Sequence, residues 1–205
     1  MVRKKTGKNQ TKVSEEFVDE THDAVSAGFY ELIEQQGTMS DQDYERALKK
    51  LILKDPHYFD PYLALTEFYL GNEQDLAADQ LLDRAYGILL EKFTGEGEAW
   101  PHRMQWGWLE NRHILRLMAQ KAEILWMKEE RTIALDVYRR ILKMNPGDNQ
   151  GIRMNILALR SGMSFAEFME MCEKEDWQAL DEWFARGQKK FSHEFEILKE
   201  GGFGL

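Results

Sequence analysis

Hydrophobic residues recur along most of the chain at spacings of three and four residues, which is the pattern of amphipathic helices. Two distant segments share one such spacing and end in a proline: Tyr44, Leu48, Leu51 and Pro56 in the first, and Ala134, Tyr138, Ile141 and Pro146 in the second. Proline does not fit inside a helix, so each segment predicts a helix with a defined end. The pattern therefore predicts a series of helices joined by turns.

The helical segments also repeat at a fixed interval along the chain. Ala78 follows Tyr44 after one period of about 34 residues, and Ala134 follows Ala78 after the same period plus an insertion. The residues before these two alanines correspond as well: Tyr62, Thr66 and Tyr69 precede Ala78 at the same offsets at which Met118, Ala122 and Leu125 precede Ala134. A repeating helical unit is the simplest explanation of this correspondence.

The unit resembles the tetratricopeptide repeat, which consists of two helices in about 34 residues, over roughly residues 25–160. The resemblance implies an all-α fold, namely a right-handed solenoid of about three to four helical hairpins closed by a C-terminal capping helix. Small residues such as Ala78, Ala122 and Ala134 would let paired helices approach closely. The repeats are degenerate, because Tyr44 stands where a small residue is expected and the usual glycine of each first helix is missing.

This frame divides the chain into three parts. Residues 1–24 are expected to form a basic, disordered N-terminal arm. Residues 25–190 are expected to form the repeat domain, with an insertion at about residues 92–113. Residues 191–205 complete the chain as a C-terminal helix and tail.

Several helix ends carry local signals of their own. The predicted N-caps are Ser40, Asp60 and Asp148. Ser164 and Glu167 have the spacing of a capping box. Gly187 is the residue predicted to follow the last long helix. The stretch KMNPGDNQGIR, which contains Asp148, lacks the spaced carboxylates of a calcium loop and the ending of a phosphate loop. It is therefore interpreted as a turn between two helices.

Members of the tetratricopeptide family bind extended peptides or helices in a concave groove lined by the first helix of each unit, and the resemblance implies such a groove here. The repeat frame places these partner-binding candidates in the groove: Leu63, Glu67 and Leu70 in the second unit, Arg116, Glu123 and Trp126 in the third, and Arg153 in the fourth. Because Glu67 and Glu123 make the groove acidic, the expected partner is a basic or amphipathic segment of another protein.

The insertion supplies a second group of candidates. Trp106 and Trp108 are followed by the polar residues Glu110 and Arg112. These side chains either present a platform for a peptide or small ligand, with a catalytic pocket as a further alternative, or attach the insertion to the repeats.

Charge is distributed unevenly along the chain, whose formal net charge is −9. Residues 1–12 carry five cationic side chains and no acid, so the remainder sums to −14. An acidic body argues against broad nucleic-acid binding, and a nucleic-acid-associated factor that uses the basic arm stays as an alternative. No stretch has the roughly 18 apolar residues of a transmembrane helix, and no signal-peptide segment follows the arm. With its single cysteine, the chain is expected to be cytoplasmic, and a homo-oligomer is left open.

Motifs for catalysis, metals and cofactors are missing from the sequence. The histidines show no zinc-enzyme spacing, and the neighbouring residues His102, Glu110 and His113 match no ligand pattern. Phosphate-binding glycine loops and nucleophile elbows are also missing. The sequence therefore predicts a non-catalytic protein–protein interaction module without a metal or cofactor.

Overall fold

The computed structural model describes residues 16–20, 22–94, 99–174 and 176–202, and all regular structure within these ranges is helical. The α-helices are α1 (Asp23–Gln35), α2 (Asp41–Lys54), α3 (Asp60–Gly71), α4 (Asp75–Thr94), α5 (Arg112–Met127), α6 (Arg131–Met144), α7 (Ile152–Arg160), α8 (Phe165–Glu173), α9 (Trp177–Gly187) and α10 (Ser192–Phe195). Short 3-10 turns lie at Gln36–Thr38, Leu109–Asn111, Gln188–Phe191 and Glu196–Gly201. The expectation of an all-α protein is confirmed.

Helices that follow one another along the chain pack side by side from α1 to α7. In addition, α3 contacts both α1 and α5, so these three helices form one layer. The intervening helices α2 and α4 each pack against the two helices that flank them in sequence, and α6 does the same between α5 and α7. The layer of α1, α3 and α5 therefore has one face that α2 and α4 do not cover.

Small buried side chains allow the close packing between helices. Ala78, Ala85, Ala122 and Ala134 are almost completely inaccessible to solvent, and large side chains such as Leu82 fill the space beside them. Because interiors are packed as densely as organic crystals, a small residue on one helix is matched by a large one on its neighbour. The apolar spacing in the sequence therefore corresponds to the buried faces of α4, α5 and α6.

The helix starts agree only partly with the predicted caps. Ser40 caps α2, because its hydroxyl accepts a hydrogen bond from the backbone N–H of Asp43 at 3.2 Å. Asp60 is instead the first residue of α3, where Phe59 is the N-cap. The turn before α7 exists as expected, but its N-cap is Gly151 in a left-handed conformation, with φ of 72°. Asp148 lies earlier in that turn, and its carboxylate accepts from the backbone N–H of Arg153 at 3.3 Å.

Of the C-terminal helices, α8 packs on α5 and α9 packs on α7. Ser164 and Glu167 form the predicted capping box at the start of α8. Gly187 differs from the expectation, because it is the last residue of α9 with ordinary helical geometry rather than a left-handed residue after it. A Cβ atom at Gly187 would lie 2.7 Å from Leu157 Cδ2, so close approach of α9 to α7 explains the glycine.

The described part of the predicted N-terminal arm packs on the helical body. The backbone N–H of Phe17 donates to the Arg103 carbonyl at 2.8 Å, and the Phe17 ring meets Phe93 edge-on at 5.2 Å. Asp19 and His22 are buried. Residues 16–20 and 22 therefore do not form a solvated arm, and residues 1–15 and 21 lie outside the described ranges.

Candidate interaction groove

A groove of about 710 Å³ lies across α1, α3, α5 and the start of α7. Its lining includes positions that correspond along the chain: Phe29, Tyr30 and Ile33 on α1, Leu63, Ala64 and Glu67 on α3, and Ala119, Gln120 and Glu123 on α5. The second set follows the first by one period of the repeat, and the third follows the second by one period plus the insertion. Spacings of three and four residues place each set on one face of its helix.

Asp60 and Arg116 continue this correspondence at one end of the groove, since they are as far apart in sequence as Leu63 and Ala119. Arg116 Nη2 donates to Asp60 Oδ2 at 2.6 Å, and the Tyr58 hydroxyl donates to the same oxygen at 2.9 Å. The Asp60 side chain is buried, whereas that of Arg116 is 39% exposed. The pair neutralises the charges of both groups at this end of the groove.

Glu67 and Glu123 form the acidic centre of the groove. Neither carboxylate has a hydrogen bond or an ion pair among the described residues. Burial and the neighbouring charge of Glu67 raise the pKa of Glu123 to about 7. Burial, assisted by Glu67, also raises the pKa of Tyr44, which stays neutral. The centre of the groove therefore carries negative charge that the chain itself leaves uncompensated.

Aromatic side chains of α1, α2 and α3 form an apolar wall of the groove. Tyr44 and Phe68 meet edge-on with ring centroids 5.9 Å apart, and Phe29 and Tyr30 meet in the same way at 5.6 Å. A smaller cavity of about 440 Å³ continues the groove past Gln36 and shares Tyr44 and Phe68 with it. The groove thus combines an apolar wall with an acidic floor.

Four of the residues predicted from the repeat frame line this groove: Leu63, Glu67, Arg116 and Glu123. Leu70 is 38% exposed near the end of α3 but is not part of the lining. Sequence reasoning missed the contribution of α1, namely Phe29, Tyr30 and Ile33. The signal for these three existed, because counting back one period from the α3 positions reaches them.

Trp126 lies in the core and not in the groove. It is fully buried between Phe165 and Phe168 of α8, with ring centroids 5.4 Å away in each case. Its indole Nε1 donates to the carbonyl of Met163 at 3.1 Å. The repeat frame alone leaves this face of α5 open, but α8 packs across it.

Arg153 also lies outside the lining of the groove. Its guanidinium donates to Asp148 at 2.8 Å and lies 5.5 Å from the ring centroid of Phe184 on α9. The groove instead receives Gln150 and Ile152 from this part of the chain, together with Asn155. Asp148 and Gly151 have positive φ angles in the turn before α7. The α7 residues of the groove, Ile152 and Asn155, do not follow the α5 positions by the period of about 34 residues.

The candidates in the insertion mostly bind the chain itself. Arg112 Nε donates to the Trp106 carbonyl at 3.0 Å, and its guanidinium lies 5.1 Å from a Trp106 ring centroid. Trp108 Nε1 donates to Glu16 Oε1 at 2.8 Å, although the indole is 46% exposed. Glu110 is exposed beside them. None of these four residues lines the groove, and their contacts attach the insertion and residue 16 to the body.

A buried cluster of Asp19, His22 and His113 lies behind the insertion. Asp19 Oδ2 is 3.2 Å from His22 Nε2 and 3.4 Å from His113 Nε2, and Lys92 Nζ donates to it at 2.7 Å. On its other side His22 Nδ1 contacts Asp55 Oδ2 at 2.6 Å. The cluster joins the segment before α1 to α2, α4 and α5.

The three residues each offer one ligand atom within 4.8 Å of the others, which raises the question of a metal ion. The backbone N–H of Phe59 donates to His113 Nδ1 at 3.1 Å, so Nδ1 is an acceptor and Nε2 carries the proton. A metal on Nε2 would require the opposite tautomer and would lie beside the Lys92 ammonium. The cluster is therefore better suited to hydrogen bonds and ion pairs among its own side chains than to a metal ion.

The pKa shifts of its members agree with a network of ion pairs and hydrogen bonds. Burial alone would lower the pKa of His22, but hydrogen bonds to Asp19 and Asp55 outweigh burial and raise it. Burial lowers the pKa of His113 despite the opposing effect of Asp19, so His113 is neutral. Burial would raise the pKa of Asp19, but His113, His22 and Lys92 hold it well below its usual range. Sequence spacing gives no signal for this cluster, because Asp19 and His113 are far apart along the chain.

Comparison with protein-family models, with curated proteins and with solved structures finds no match to this chain. Among the described helices, none is both long enough and apolar enough to cross a membrane. Any functional assignment therefore rests on the groove and its chemistry.

Proposed function

We propose that this chain is a non-catalytic interaction module of the tetratricopeptide-like type, which binds a peptide or helix of another protein in its groove. The observation that supports it is the correspondence of Phe29, Leu63 and Ala119. These residues are separated by one period and by one period plus the insertion, and they line one groove from three successive first helices. Repeats that place equivalent positions on one face create extended binding surfaces of this kind.

The composition of the groove also favours a polypeptide as the ligand. An apolar wall can take alternate side chains of an extended segment or one face of a helix, while polar groups on the floor set its orientation. Because the lining lies on helices held by a packed core, little conformational entropy is lost from this side when a partner binds. We assign no partner-binding role to the insertion, because Trp106, Trp108 and Arg112 already form hydrogen bonds within the chain.

A library of random peptides of about 16 residues, displayed on phage, tests the proposal, since such a peptide spans roughly 24 Å as a helix. The groove variant is Ala119→Trp, whose indole would fill the space between α3 and α5. The matched control is Leu53→Trp, because Leu53 is 78% exposed on α2 and outside the groove. Wild type and Leu53→Trp should enrich the same peptides and Ala119→Trp should not. Enrichment that all three proteins share equally would refute a groove-dependent interaction.

A further inference from the structure

The buried carboxylates of the chain have cationic partners, whereas the half-buried Glu123 and the exposed Glu67 of the groove have none among the described residues. Asp60 has Arg116, Asp148 has Arg153 at 2.8 Å, and Glu194 has Arg139. Glu67 and Glu123 have no ion-pair partner in the part of the chain that the structure describes. Arg116 is the single cationic residue of the lining, and it already binds Asp60.

Amide oxygens beside the carboxylates lack donors as well. Gln120 Oε1 and Gln150 Oε1 are shielded from solvent and accept no hydrogen bond among the described residues. The Gln150 amide nitrogen donates to the Leu115 carbonyl at 3.4 Å, which sets the orientation of that amide. A buried acceptor without a donor carries an uncompensated desolvation cost. An occupant of the groove with several N–H donors would relieve this cost after a small rotation of either side chain.

The aromatic part of the lining suits the apolar stem of a long cationic side chain. Phe29, Tyr30 and Phe68 form the wall that faces the acidic floor. Long cationic side chains bury their methylene stems on apolar surface while the charged head reaches polar groups. A guanidinium adds a flat face for aromatic rings and five donors in one plane, whereas an ammonium has three donors at a point.

We propose that the groove recognises an arginine side chain of the partner segment, whose guanidinium binds between Glu67 and Glu123 and donates to Gln120 or Gln150. This assignment rests on the proposed function and specifies the chemistry of the partner. A basic segment complements a floor with two uncompensated carboxylates, and like charges in a partner would be repelled from it.

The groups that face Glu123 predict a linked proton. Glu67 on α3 repels its charge, Tyr138 on α6 stays neutral because burial, followed by Glu123, raises its pKa, and Arg116 is occupied by Asp60. With a pKa of about 7, Glu123 is mostly protonated at about pH 6 and mostly ionised at about pH 8. An arginine that binds the ionised form should therefore bind about tenfold more tightly at the higher pH.

The test uses N-acetyl-L-arginine methylamide as the probe, titrated into the full chain and followed by amide chemical shifts. Wild type should show shifts localised to α3 and α5, and affinity should rise about tenfold between about pH 6 and about pH 8. Glu123→Gln should bind at least fivefold more weakly at about pH 8 and lose the pH dependence, because a neutral amide cannot form the charge-assisted contact. Glu91→Gln on α4, an exposed position outside the groove, should behave as wild type.

Four results would overturn the assignment. Equal binding of the neutral citrulline derivative would show that charge is irrelevant, and equal binding of the lysine derivative would exclude guanidinium recognition. Retention of the pH dependence in Glu123→Gln would place the titrating group elsewhere. A gain in affinity when residues 2–15 are deleted would show that the basic segment of the chain itself competes for the groove, which contradicts assignment to a partner.

The result of the titration with the arginine derivative can be distinguished from the result of the peptide library. Groove-dependent peptides without arginine would refute this assignment and leave the interaction module intact. Conversely, binding of the arginine derivative without any groove-dependent peptide would refute the interaction module and leave a site for a small cationic ligand.

Discussion

Replacing Trp126 by alanine separates the two roles that sequence and structure give to this residue. The repeat frame predicts a groove position, where the substitution would weaken binding and leave the fold intact. In the structure the indole is fully buried against Phe165 and Phe168 and donates to the Met163 carbonyl. Truncation of a buried tryptophan costs about 3–5 kcal/mol. The substitution also leaves the Met163 carbonyl without its indole donor, which favours a value inside this range over one at its lower limit. We expect a loss of about 4 kcal/mol.

Urea unfolding followed by circular dichroism measures this loss. A loss of about 4 kcal/mol lowers the midpoint by about 1.5 M if the slope is about 2.5 kcal/mol per M. Trp126→Phe should cost only about 1–2 kcal/mol, because it keeps most of the aromatic packing and loses the indole N–H. Ala119→Trp on the groove side of α5 serves as the control and should change stability much less. A loss below about 1 kcal/mol for Trp126→Ala would refute the core assignment.

Three further outcomes follow from the buried cluster and from the packing of α9. The imidazolium of His22, whose pKa is raised by Asp19 and Asp55, contributes stability that is fully present below the unfolded pKa of about 6.5 and is lost as pH rises through the folded pKa. The difference in unfolding free energy between wild type and His22→Gln should therefore shrink from about pH 6 to about pH 9, and a constant difference would contradict the ion pairs. Adding zinc or a chelator should leave the melting temperature unchanged, and a rise of several degrees with zinc would contradict the assigned tautomer. Gly187→Ala should destabilise the protein by about 1–3 kcal/mol despite the better helix propensity of alanine, because the Cβ would meet Leu157. Leu157→Ala in the same chain should remove most of that extra cost, and strict additivity would refute the clash.

Local patterns in the sequence predicted the helices and much of the groove. Leu63, Glu67 and Glu123 follow from helical periodicity and from the period of the repeat, both of which can be read directly along the chain. The placement of Trp126 in the groove was wrong because α8, which comes much later in the chain, packs against this residue. No local sequence pattern indicates that packing. The cluster around Asp19 could not be predicted for the same reason, since its members come together only through tertiary structure.

The pairing of buried acids indicates which positions serve folding. Asp19, Asp60, Asp148 and Glu194 are buried carboxylates, and each has a cationic partner within hydrogen-bond distance. Burying a charge without a partner is costly, so compensation is the expected result of selection for stability. The half-buried Glu123 breaks this rule in the groove. Sites that violate stability rules are expected where function requires them.

Because Glu123 has no cationic partner among the described residues, we expect Glu123→Gln to stabilise the protein in the absence of a ligand. The raised pKa of about 7 means that the folded state binds a proton more tightly than the unfolded state, so the stability that this proton adds is lost as pH rises through 7. Against the ordinary value of 4.5, the cost of the ionised group is at most about 3 kcal/mol. At about pH 8, Glu123→Gln should therefore raise the unfolding free energy by about 1–3 kcal/mol, with little change at about pH 5. A destabilised variant at the higher pH would mean that the carboxylate contributes to the fold, and the case for a binding role would lose its physical basis.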